Sequence, residues 1–196
     1  WSLVGSEMCI RDRVAIHSGP GGESSGNSND IWSAHWPTLT ISTDDEDENG
    51  NDHFVDGISQ VPEYQLSNGE KNPLGVWCHE FGHELGLPDY YDTDGSSEGV
   101  GNWAVMAAGS WGNNGETPVY FSAYSRYWLG WEEPILVQGD ITNLVIEPVS
   151  EGGKIYKLPI PGNLTGSEQY FLLENRQQTK YDTYLPGEGL LIWHID

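Results

Sequence analysis

Hydrophobic and polar positions alternate, cluster and thin out along this chain in a way that divides it into recognisable stretches. Val14-Ala15-Ile16-His17 is a short strand-like run, and residues 18–30 (SGPGGESSGNSND) are too rich in Gly and Ser for regular structure. Ile31 to Ile41 carries Trp32, Trp36 and alternating apolar residues, which predicts a further strand. Residues 42–53 (STDDEDENGNDH) read as an acidic loop, and Phe54 to Leu66 as an extended segment broken by Pro62. From Leu74 to Leu85 the spacing predicts a helix. Asn72 stands where a cap is expected, Pro73 where a first-turn proline is tolerated, and Gly86 where the helix should stop. Leu74, Val76, Trp77, Cys78, Phe81 and Leu85 occupy nearly every face, the pattern of a buried helix. Its polar members are His79, Glu80, His83 and Glu84, and they need an explanation.

Downstream, residues 119–131 (VYFSAYSRYWLGW) predict a second, aromatic helix. From Ile135 the texture changes to short strands divided by Gly, Pro and Asn: ITNLVIEP, KIYKLPI, QYFLLENRQ and GLLIWHID. This divides the chain into a first region over 14–134 that carries both predicted helices and a β-rich segment over 135–196, an α+β organisation. The last run stops at Asp196 without a turn or cap, so the chain reads as a fragment at both ends.

Residues 1–13 stand apart. Leu3 to Arg13 (LVGSEMCIRDR) back-translates, codon by codon, to the transposase adapter used in short-read library preparation, and the segment is read as translated adapter sequence. It holds Glu7 and Asp12 against Arg11 and Arg13, so without it the net charge is unchanged at −22. Without it Cys9 also goes, which leaves Cys78 alone and the redox compartment undetermined. The chain has 30 acidic and 8 basic residues. Such a surface repels nucleic acid and anionic membranes, which excludes polyanion binding. No apolar run is long enough to cross a bilayer.

The chemistry gathers in residues 79–89, HEFGHELGLPD. On a helix, positions i and i+4 share a face, so His79 and His83 can reach one ion. Two neutral imidazoles suit zinc, and catalytic zinc sites use three protein ligands plus a water. Glu80, next to the first histidine, lies beside the metal, where it can take a proton from that water. Gly86 can adopt a positive φ that turns the chain back. Leu87-Pro88 then delivers Asp89 as the candidate third ligand, a place that a water or another carboxylate could also fill. Burying two histidines and two glutamates without a metal would carry a heavy desolvation cost. A structural zinc domain is disfavoured, because closed structural sites use four ligands rich in cysteine. Cys78 faces about 100° away from His79 and reads as a small buried residue.

Further along, Asn102 to Trp111 (NWAVMAAGSW) looks like the Met-turn of metzincins, with Met106 as the apolar floor beneath the zinc histidines. The acidic loop carries Asp45, Asp47 and Asn49 before Gly50, with Asp56 where an EF-hand loop puts its last ligand. Its oxygens could hold calcium, or the loop could simply be solvated; the flanking helices of an EF-hand are not evident. Asp92 and Asp94 are further calcium candidates. Tyr120 and Tyr124 are candidates for assisting an oxyanion, and Val14–His17 for a rim strand that pairs with a peptide substrate.

Several blocks, in order, resemble the immune inhibitor A family of secreted bacterial metallopeptidases across nearly all of residues 14–196. They are IHSGPGGESSGNSNDIWSAHW, GVWCHEFGHELGLPDYYDTDG, GVGNWAVMAAGSW and YLPGEGLLIWHID. The resemblance implies a metzincin-like zinc endopeptidase acting on proteins or peptides outside the cell. It also implies a secretion signal, a propeptide and C-terminal β domains. By the same resemblance His79, His83 and Asp89 are zinc ligands, Glu80 the catalytic base and Met106 the Met-turn residue. A protease-derived binding module without turnover is the alternative; the intact Glu80 speaks against it.

Overall fold

The structure, a computed structural model, describes residues 14–46, 49–64, 74–160 and 169–196. The adapter-like segment 1–13, the expected cap Asn72 and the first-turn Pro73 lie outside the described residues. The chain separates into two compact units that divide between Pro88 and Asp89, so residues 89–134 and 135–196 fall in one unit. Each has its own sheet, and the architecture mixes helix and strand.

In the first unit, β1 (Val14–Pro20), β2 (Ala34–Glu46) and β3 (Asp52–Tyr64) form a sheet in the order β1-β3-β2. β1 runs parallel to the central β3, and β2 antiparallel to it. The expected loop over 42–53 is corrected here. β2 runs to Glu46 and β3 begins at Asp52, with Glu46 paired to Asp52 and Ser42 to Phe54. Strand pairing is made by backbone N–H and C=O groups, which acidic side chains neither supply nor remove. Nor does Pro62 break β3. Pairing with β2 ends at Gln60, so Pro62 opposes only His17 of β1 and its missing N–H falls where no second strand needs a donor.

The Gly- and Ser-rich stretch after β1 holds one helical turn, α1 (Gly22–Ser25), closed by Gly26 at φ 66°. Glu23 ties it down by accepting hydrogen bonds from the Ser33 N–H and hydroxyl at 3.1 and 2.8 Å. The predicted helix is α2 (Leu74–Glu84), which packs on β3 and β2. Its inner positions are Gly75, Val76, Glu80 and Gly82, while Phe81 is 45% exposed. The helix is therefore buried on one side only. Glycines at 75 and 82 let it lie close to the sheet, and the Trp77 indole N–H donates to the Pro62 carbonyl at 3.0 Å.

The second unit has a four-stranded sheet, β4 (Ile135–Leu136), β5 (Tyr156–Pro159), β6 (Tyr170–Arg176) and β7 (Gly189–Ile195), in that order. The aromatic helix is shorter than predicted: α3 spans Ala123–Trp128. Ser122 caps it by accepting the Ser125 N–H, and upstream the Val119 and Tyr120 N–H groups go to the Gly109 carbonyl and to Asp182 instead. ITNLVIEP is not a strand. Asn143 sits at φ 61°, and the Asn175 amide takes the Ile146 carbonyl at 2.7 Å, leaving one isolated bridge at Pro148. The core is Ala123, Ile155 and Leu172, flanked by Tyr124, Tyr127, Tyr170, Trp193 and Ile195.

Beside that core lies a buried ionic network. Arg176 binds Asp182 through two bonds of 2.6 Å, and Glu174 accepts from the Trp193 indole at 2.8 Å and from Arg126 at 3.1 Å. Arg176, Glu174 and Asp182 are fully buried. Burial opposes the Arg176 charge, but the Asp182 hydrogen bond and the carboxylates of Glu174 and Asp182 outweigh it and raise its pKa.

Candidate metal centre

The end of α2 is built by a Schellman turn. The Leu87 N–H bonds back to the Gly82 carbonyl at 3.0 Å and the Gly86 N–H to the His83 carbonyl at 2.9 Å. Gly86 sits at φ 91°, where an L side chain is strained and glycine is not. Leu87, 2% exposed, plugs the turn into the core. The Leu87 carbonyl then faces His83 and stands 2.8 Å from Nδ1. With an Nδ1–H donated there, Nε2 is the nitrogen His83 would offer a metal. The turn that stops the helix therefore also favours one tautomer of His83, a candidate ligand. Gly86→Ala forces a Cβ into the left-handed region at a cost of about 1–2 kcal/mol. We expect it to lower the melting temperature and to weaken metal binding as the turn shifts, both measurable on the purified chain.

His79 lies one turn before His83, with ring centroids 4.8 Å apart and the planes near perpendicular. Asp89, two residues beyond Leu87, completes the set: the ligand atoms of His79, His83 and Asp89 lie within 4.8 Å of one another. All three are partly buried, and Glu80 is 7% exposed. The donor set of two imidazoles and one carboxylate is what a borderline divalent metal takes.

Past Asp89, the Tyr90 N–H donates to the Met106 carbonyl at 2.8 Å. Met106 is fully buried in a tight turn closed by the Ala107 N–H on the Ala104 carbonyl at 3.0 Å. Burial pushes the Tyr90 phenol up to about 12, with its hydrogen bond to Ser125 working the other way. Tyr120 rests edge-on against Tyr181, and Tyr124 packs between Tyr90 and Trp128 beside the core.

Of the calcium candidates, Asp45 stands in β2 and Asp56 in β3, on paired strands; their side chains and the whole of Asp47 lie outside the described residues. Asn49 is an exposed turn residue. Asp92 accepts the Asp94 and Ser97 N–H groups and the Ser96 hydroxyl, and Asp94 accepts the Ser96 N–H. The Ser96 hydroxyl first, then the Asp94 N–H, hold the Asp92 carboxyl well below its usual range.

The motif does not reveal a second group behind it. His35 of β2, Ser59 of β3 and Glu84 of α2 meet around the Glu84 carboxylate. The sequence signal was Glu84 itself, the polar residue of the helix that the metal motif leaves unassigned; nothing in the spacing names its partners.

The described residues hold no helix long and apolar enough to cross a membrane. Residues 8–132 match the immune inhibitor A peptidase M6 catalytic domain. The chain is 35% identical over 120 residues to immune inhibitor A of Bacillus thuringiensis subsp. alesti, covering 58% of this chain and 17% of that protein. It is 46% identical over 59 residues to the pre-pro-metalloprotease PrtV of Vibrio cholerae serotype O1 strain M66-2, covering 28% of this chain and 6% of that protein. The chain thus spans less than a fifth of the length of these curated relatives. With a match over most of its length, this chain belongs to the immune inhibitor A family of M6 peptidases.

Proposed function

We propose that this chain is the catalytic part of an extracellular zinc metalloendopeptidase, with His79, His83 and Asp89 as ligands and Glu80 as general base. The observation that carries the reading is the convergence of those three ligand atoms within 4.8 Å. Zinc bonds of about 2.0–2.1 Å in a tetrahedron need ligand atoms about 3.4 Å apart, so modest side-chain adjustment closes the site. Bound zinc supplies Lewis acidity for the scissile carbonyl and lowers the pKa of a water towards about 7. The Glu80 carboxylate accepts the proton of the attacking water and hands it to the leaving amine. Its burial keeps bulk water from competing for that proton. Met106, downstream of the motif in a tight turn, takes the role of the Met-turn residue. A relative named a pre-pro-metalloprotease supports synthesis with a leader and a propeptide.

The reading is tested by casein hydrolysis with the full chain, with and without a chelator, followed by zinc add-back. We expect hydrolysis to vanish with the chelator and to return with zinc. Activity that survives rigorous metal removal would sink the proposal.

A further inference from the structure

We propose that His35 is a positioning residue for the metal ligand His83, held in place by Glu84 and Ser59. The inference rests on the metal reading above and extends it to residues outside the HExxHxxGxxD segment. His35 Nδ1 lies 3.2 Å from Glu84 Oε1 and 3.2 Å from Ser59 Oγ. The Ser59 hydroxyl donates to the same Glu84 oxygen at 2.7 Å. The side chains of His35 and Glu84 are 12% and 1% exposed, so this carboxylate is satisfied from the sheet.

The imidazole of His35 also lies over that of His83, with centroids 5.9 Å apart and planes 24° from parallel. One side chain of β2 therefore engages two successive residues of the helix, Glu84 by its nitrogen and His83 by ring stacking. It seats Glu84 through a nitrogen and lies offset and nearly parallel beside the His83 ring. His83 is meanwhile tethered through Nδ1 to the Leu87 carbonyl. A hydrogen bond fixes one edge of an imidazole, and rotation about that edge is what a packed neighbour prevents. His35 supplies that neighbour.

Gly57 shows how closely the sheet fits over this cluster. At φ 88°, a Cβ there would come within 3.2 Å of Glu84 Oε2 and 3.4 Å of His35 Cε1.

Groups that orient a metal-bound histidine typically change metal affinity about 10–100-fold when removed. Two substitutions separate the contacts. His35→Asn keeps a donor near the Nδ1 position and removes the ring, while His35→Phe keeps a flat ring and removes the donor. In the full chain, zinc affinity is measured by competition with a chromophoric chelator, and ligand geometry by the visible absorption of the Co(II)-loaded protein. Melting of the metal-free chain reports folding separately. We expect His35→Asn to weaken zinc about tenfold or more and to shift the Co(II) bands. His35→Phe should recover the wild-type bands, even where the loss of its donor lowers the melting temperature. A merely structural role would move the melting temperature and leave affinity and bands alone. Affinity within twofold of wild type and unchanged bands in His35→Asn overturn the proposal. Should that variant not fold, His35→Gln, which also lacks the ring, is read by the same criterion. If the wild-type chain binds no zinc at all, the metal reading falls and takes this inference with it.

Discussion

Glu80→Gln is expected to cut peptide hydrolysis by about 10²–10⁴-fold while the protein still binds one zinc per chain. The substitution preserves shape and removes the ability to carry a proton, so the loss measures proton transfer through Glu80 in both directions. Glu80 sits between the two proposed ligand histidines in sequence, on the helix side whose buried positions include Val76 and Gly82. Gln fits that place without adding volume, and folding should survive. Steady-state kinetics on a peptide substrate, with zinc counted by atomic absorption, give the answer. A tenfold or smaller loss in kcat would move the proton to another group. Loss of zinc together with activity would instead make Glu80 part of the metal's support.

The second large effect is expected in the buried ionic network of the second unit. Asp182→Ala removes both 2.6 Å partners of the fully buried Arg176 guanidinium and the acceptor of the Tyr120 N–H. Glu174 remains at 3.4 Å, a weak substitute already committed to Trp193 and to the Ala123 N–H. Breaking one side of a buried pair typically costs about 3–5 kcal/mol. For a unit of this size that corresponds to a fall in melting temperature of roughly 10 °C or more. Replacing both partners, as in Arg176→Met with Asp182→Leu, should recover much of the loss, because no charge is then left buried and alone. Thermal denaturation of the three proteins decides it. A shift of less than about 2 °C for Asp182→Ala would mean that water reaches Arg176 and solvates it.

The metal segment was legible because its determinants are local. The helix, the Schellman stop at Gly86 and the delivery of Asp89 all follow from eleven consecutive residues, and the structure brings His79, His83 and Asp89 together as that spacing requires. The hairpin of β2 and β3 was not legible, because acidic side chains dominate residues 42–53 while the pairing is made by the backbone. α3 was overextended because Val119 to Phe121 have helix-like apolarity, yet their backbone is claimed by Gly109 and Asp182, the latter 62 residues from Tyr120. The same reason hides His35 and Ser59. They reach Glu84 from 49 and 25 positions away in the chain, and no periodicity reports such a meeting.

The ionic network in the second unit has one more consequence, for how molecules approach this protein from solution. The chain has only eight basic side chains against thirty acidic ones, and Arg126 and Arg176 are withdrawn into the interior. Glu174 and Asp182 are buried with them, so the network takes no net charge from the surface, and the formal −22 leaves the long-range field strongly negative. If the chain hydrolyses peptides as proposed, those with surplus lysine or arginine are expected to associate faster than acidic ones, as stopped-flow rates would show. That kinetic sorting fades as added salt shortens the Debye length to about 8 Å at physiological ionic strength. A network that neutralises its own charges inside thus leaves the approach of charged molecules to the acidic surface.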